Sequence, residues 1–171
     1  MKKIIWTIFA GVLMTMPAYA LSIKSSDFMD GKPIPRDYTC MGRNQSPALS
    51  WGGEPGGTVS FALICEDPDA PMGTWTHWVI FNLPASLHEL SGGLEAEGAV
   101  AGSGQQGVND FQKNGYGGPC PPMGQTHRYQ FKLYALDTML SLTGSVTRSK
   151  LLAAMEGHIM AEAQVMGTFR R

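Results

Sequence analysis

From residue 128 onward, Tyr129, Phe131, Leu133 and Ala135 interleave with Arg128, Gln130, Lys132 and Tyr134. A period of two puts each set on its own face, so 128–137 is predicted as a strand with one core face and one wetter face. The stretch 58–64 is instead almost continuously apolar, as expected of a strand covered on both sides. Further short segments at 21–26, 48–51, 58–66, 77–83 and 162–169 recur between Gly and Pro turn signals. That spacing predicts an all-β antiparallel sandwich rather than alternating strand–helix units. One helical pattern stands apart. Leu151, Met155 and Ile159 lie four apart behind the candidate caps Ser145 and Thr147, which predicts a helix over 148–156, weakened by Gly157. The longest expected loop is 94–111, with six glycines from Gly92 through Gly107, and it reads as a rim or mobile flap.

Residues 1–20 read as an export signal and are kept out of the fold. Lys2 and Lys3 precede an apolar run from Ile4 to Met16, and Ala18-Tyr19-Ala20 supplies a small-x-small cleavage pattern. The run is too short to span a bilayer and nothing later is long enough, so no stable membrane insertion is expected. What remains, 21–171, is the size of one ordinary domain, expected in the periplasm or secreted. The signal holds two of the 13 Lys and Arg and none of the 14 Asp and Glu, so the remainder carries about −3. That balance gives no reason to expect nucleic acid as a partner, and any anion must be held by a local set of donors.

An exported chain can form disulfides. Cys65 lies in an apolar strand and is expected to be a small buried hydrophobe, whereas Cys40 and Cys120 lie in Gly- or Pro-rich loops. A Cys40–Cys120 bridge is the pairing expected. There is no CxxC or HExxH spacing, and neither a metal nor a cofactor is expected.

Two loops concentrate unusual chemistry. Asp67-Pro68-Asp69-Ala70-Pro71 leaves one predicted strand, and Trp75-Thr76-His77-Trp78 starts the next. Its prolines fix φ and remove donors, holding two carboxylates within reach of an imidazole. Alone, such a turn is as well explained by an Asx turn closing a hairpin. The second loop runs Gly115-Tyr116-Gly117-Gly118-Pro119-Cys120-Pro121-Pro122 and continues to His127-Arg128-Tyr129. Cys120 supplies the single backbone N–H between Pro119 and Pro122, while the glycines permit close approach. A stiff loop with one free amide, a phenol and histidines can cradle a small anion without a basic patch, or it can simply bridge the sandwich.

DPDAP, then HW, GGPCPP and HRY leading into an alternating strand, resemble the phosphatidylethanolamine-binding protein family, which includes the Raf kinase inhibitor-like proteins. The bacterial YbhB/YbcL-type branch is the most similar, and the likeness covers essentially all of 21–171. The resemblance implies a β-sandwich built on a large antiparallel sheet, with a pocket at one end for phosphate, phosphoryl head groups or similar anions. Carried over residue by residue, that pocket uses Asp67, Pro71 and His77 from the first motif. Pro122, His127 and Tyr129 come from the second, with the backbone at Gly118 and Cys120. Asp69 matches too, either as a ligand contact or as a brace of the turn. Arg128 matches a family position, but its phase points it away from Tyr129. Thr76 stands where bacterial relatives often have an aromatic residue, which leaves one wall undefined. Eukaryotic members add a C-terminal helix near the pocket, so a site more open beyond the last strand is expected here.

A carboxylate beside a phosphate dianion is repulsive, so Asp67 is useful only as an acceptor of a proton or of a cationic ligand group. Protonated His77 or His127 would supply positive charge, and anion binding is expected to strengthen at mildly acidic pH. The expected function is therefore non-catalytic anion binding. Two alternatives stay open: an exported protein-interaction or protease-inhibitor module with a protein partner, and a His/Asp-based hydrolase. Ser103 and Cys120 lack a GxSxG context, which counts against the hydrolase.

Overall fold

β3 (Ser60–Asp67) is buried along its whole length, because each of its faces meets a different core. The computed structural model describes residues 20–97 and 99–171, so the expected export signal lies, apart from Ala20, outside the described residues. Phe61, Leu63 and Cys65 project into one cluster, and Ala62 and Ile64 into the other. The continuous apolar run is thus two alternating faces, each dry. β3 sits at the centre of a five-stranded antiparallel sheet. One side leads to β4 (Trp75–Pro84) and then β6 (Gln105–Gln106), the other to β7 (Thr126–Leu136) and then β8 (Ile159–Arg170).

The first core lies between this sheet and a smaller antiparallel one made of β1 (Ser22–Ser25), β2 (Leu49–Gly52) and β5 (Glu89–Leu90). Ile23, Leu49, Trp51 and Leu90 meet Phe61, Trp78, Phe131 and Leu133 there. The second core lies under α1 (Arg148–Met155), where Leu151 and Met155 cover Ile64, Val79 and Phe81. Thr147 caps α1 by accepting the Lys150 N–H. The all-β sandwich, its large central sheet and its one helix are those expected. The helix ends within a residue of the expected 156, whereas β8 opens at Ile159, ahead of the expected 162, and Ile159 is 44% exposed. Gly157, at φ 80°, turns the chain out of the helix before Ile159 can join the Leu151–Met155 face.

The long loop is less free than a flap. β6 pairs its middle to β4. Near its end, Asp110 accepts the Thr76 N–H at 2.7 Å and donates its own N–H to the Thr76 carbonyl. Cys40 and Cys120 are joined by a disulfide, and Cys65 is free and buried.

Candidate anion-binding cleft

Asp67 is the last residue of β3, and His127 the second of β7. Antiparallel pairing brings the two strand ends together, with Glu66 opposite Gln130. One Asp67 oxygen accepts the N–H of Asp69 at 2.8 Å, which shapes the DPD turn. The other accepts from His127 Nδ1 at 2.7 Å, and both side chains are buried. His127 Nε2 lies 3.2 Å from the Gln125 side-chain amide. Two stiff turns from separate hairpins are thereby joined by one buried hydrogen bond.

His77 enters from β4. Its Nδ1–H donates to the Gly117 carbonyl at 2.5 Å, while the Gly117 N–H donates back to the His77 carbonyl at 2.8 Å. This exchange stitches the GGPC loop to β4 and leaves Nε2 as the uncommitted ring nitrogen. Burial pulls the His77 pKa below 6.5, outweighing the Gly117 carbonyl and the charges of Asp67 and Asp110. Tyr129 meets His77 edge to face, with ring centroids 5.1 Å apart. Its hydroxyl is buried without a hydrogen-bond partner. Burial, reinforced by the Asp67 charge, drives that phenol's pKa far up. The Cys120 amide is near enough to offset part of this, yet it falls short of hydrogen-bond geometry.

Between the turns opens a cleft of about 300 Å³. Of the residues expected at a pocket, Asp67, Pro71, His77, Cys120, Pro122 and His127 line it. Tyr129 stands behind them, fully buried. Two further expected residues lie outside this lining. Asp69 is engaged outside the lining: Arg128 donates to both its oxygens, at 2.9 and 2.6 Å, and holds its carboxyl down to about 2. Of its two expected roles, it fills that of the brace. Gly118 offers the cleft no free amide, because its N–H donates to Asn44 Oδ1 at 2.7 Å. It borders a neighbouring cavity of about 180 Å³, and a Cβ there would lie 2.5 Å from Asn44 Oδ1.

The phosphatidylethanolamine-binding protein family model matches residues 24–170. The chain belongs to this family. A UPF0098 protein of Methanothermobacter thermautotrophicus is 49% identical over 151 residues, spanning 88% of this chain and 99% of that one. Another of Aquifex aeolicus is 43% identical, over 88% and 89% respectively. Among solved structures, YbcL of Escherichia coli superposes with a TM-score of 0.84 at 32% identity, covering 88% of this chain and 98% of its own. A family homologue from Chlamydia trachomatis does so at 0.82 and 40% identity, covering 90% and 99%.

Within this family fold, four lining residues were not assigned to the pocket from sequence: Trp75 and Pro121, which lie in the quoted loops, and Phe111 and Arg171, which lie outside them. Trp75 and Phe111, with ring centroids 5.5 Å apart, make the wall that Thr76 left undefined. Phe111 had no local signal, since long-range contacts bring it to the cleft: Asp110 with Thr76, and its own ring with Trp75 and His77. Arg171 stands on the side expected to be open. Its place follows from the observed pairing: a strand ending at 170 beside one beginning at 126 brings residue 171 to the Pro122–Tyr129 turn.

Proposed function

We propose that the chain binds a small phosphate-like anion or phosphoryl head group in this cleft, without turning it over, in the periplasm or outside the cell. The observation that carries the reading is the meeting of the two turns through Asp67 and His127. It sets an imidazole and Cys120 in one cleft lining, with a buried unpartnered hydroxyl behind them. A buried hydroxyl without a partner is unfavourable, and a ligand oxygen would relieve it. The family's name points the same way, as does the export signal read over residues 1–20 for the compartment.

The cleft suits binding better than covalent chemistry. Its one sulfur nucleophile, Cys120, is oxidised in the disulfide, and Ser103 lies elsewhere with its hydroxyl on the Asn82 carbonyl. Among the described residues, no group of three His, Cys, Asp or Glu is arranged to hold a metal.

Calorimetric titration with inorganic phosphate, phosphoethanolamine and acetate tests the binding. Saturable affinity that His77→Ala and His127→Ala each weaken at least fivefold is the expected outcome; unaltered affinity in both variants contradicts it. Incubation with phosphate and carboxylate esters, with and without zinc or manganese, is expected to release no product above buffer. Because burial lowers the His77 pKa, its charged form grows only as pH falls below about 6.5. Phosphate affinity is therefore expected to rise on acidification. A flat or rising profile from about pH 5.5 to 8 contradicts a histidine contribution.

A protein-docking role has its own support. Met72 and Met123, each next to a cleft proline, are 95% and 82% exposed. Flexible thioethers at a rim suit an adaptable partner. Capture of an exported partner that depends on both methionines would favour that role.

A further inference from the structure

The cleft contains one side chain whose positive charge does not depend on pH, and neither motif includes it. β8 ends with Arg170 opposite Thr126, so sheet register carries Arg171 to the entry of β7. The Arg171 carbonyl accepts the Gly124 N–H at 2.8 Å, which ties the backbone to the Pro122–Tyr129 turn. Gly124 has φ 81°, a conformation that other residues adopt with strain. The guanidinium donates to the Cys120 sulfur, 3.7 Å from Nη1. Sulfur is a weak acceptor, so strong donors remain for something else.

Other arginines are engaged differently: Arg43 pairs with Asp37, Arg128 with Asp69 and Arg148 with Glu66. No such ion pair is found for Arg171 among the described residues. Sharing the lining with it are Asp67, whose carboxylate is already hydrogen-bonded to His127, and His77. An anion entering this cleft would meet the Asp67 carboxylate in its lining, so a cation in the same lining is needed to reverse the local field.

Resting on the anion-binding reading above, we propose that Arg171 is the specificity-determining residue of the cleft. Its planar fork of N–H donors grips two oxygens of a phosphoryl group, while Tyr129 and the Cys120 amide engage the group from below. The ligand class is accordingly a phosphate or phosphate monoester with at least two exposed oxygens. Neutral head groups are disfavoured.

Calorimetry at about pH 8, above the ordinary histidine range, tests this with inorganic phosphate and phosphoethanolamine. Arg171→Gln is expected to bind both about ten- to a hundredfold more weakly. Arg171→Lys should fall between it and the parent, keeping the charge but not the fork. Arg170→Gln, which removes an equal charge one residue away, should stay within about twofold of the parent. The assignment is overturned if Arg171→Gln binds like a parent that binds well, or if the 170 and 171 variants weaken alike. If the parent itself binds neither probe, the anion-binding reading fails, and the assignment with it.

Discussion

Tyr129 combines two properties that normally exclude each other, complete burial and an unpartnered hydroxyl. In the free protein such a group is a liability of about 1–3 kcal/mol. Tyr129→Phe is therefore expected to leave stability unchanged or raise it by about 1 kcal/mol, while weakening phosphate binding about fivefold. Urea denaturation and calorimetry on the same sample check both, and a destabilised variant with unaltered affinity would make the residue purely structural. Asp67→Ala should act oppositely, since it strands His127 in a buried site; a loss of about 3 kcal/mol is expected in the same denaturation assay. At this scale the motifs were readable to the level of residue type. Asp67, His77 and His127 were legible through the DPDAP, HW and HRY motifs together, since each Pro-stiffened turn alone is as well explained by an Asx turn or a bridging loop. The fate of Asp69 was not, because which carboxylate meets Arg128 depends on where β7 starts.

Among the elements, α1 depends on the sheet more than on its own sequence. Arg148 in its first turn donates to Glu66 at 2.6 Å, and Lys132 of β7 donates to the same buried carboxylate at 2.6 Å. One side chain of β3 thus pins both a helix and a neighbouring strand. Burial alone would raise the Glu66 pKa, but these two hydrogen bonds outweigh it and the net shift is downward from 4.5. The folded chain therefore holds this proton less tightly than the unfolded chain. The stabilisation is complete above the unfolded pKa and fades as pH falls through the lower folded one. Glu66→Gln is expected to lose about 2 kcal/mol near neutral pH and less in acid, where parent and variant converge. Urea melts at several pH values check this; a constant difference contradicts it. The strands were predictable because burial on one or two faces leaves a period-two or continuous apolar pattern. The end of α1 was legible from Gly157; the start of β8 was not, because Ile159 fits the helical spacing equally well and only the β7–β8 pairing places it in the strand.

For the whole molecule, the cleft exists because distant segments converge. The Cys40–Cys120 bridge closes a separation of 80 residues and fastens the GGPC loop to the segment before β2. By chain entropy, such a link stabilises by about 4 kcal/mol. A Cys40→Ser, Cys120→Ser double variant should melt at lower temperature and also bind phosphate more weakly, since the Cys120 amide then floats; unchanged affinity would separate the bridge from the site. What no local pattern could reveal was convergence itself, including Phe111 from a glycine-rich loop and Arg171 from the end of the last strand. On the proposed function, the Asp67–His77 and Pro122–Tyr129 turns jointly hold a phosphoryl group. A crystal structure of the protein saturated with phosphoethanolamine tests it most directly. The phosphorus is expected between the two turns, with an oxygen in hydrogen-bond reach of the Tyr129 hydroxyl. A ligand seated elsewhere, or a cleft without it at saturation, would contradict the account.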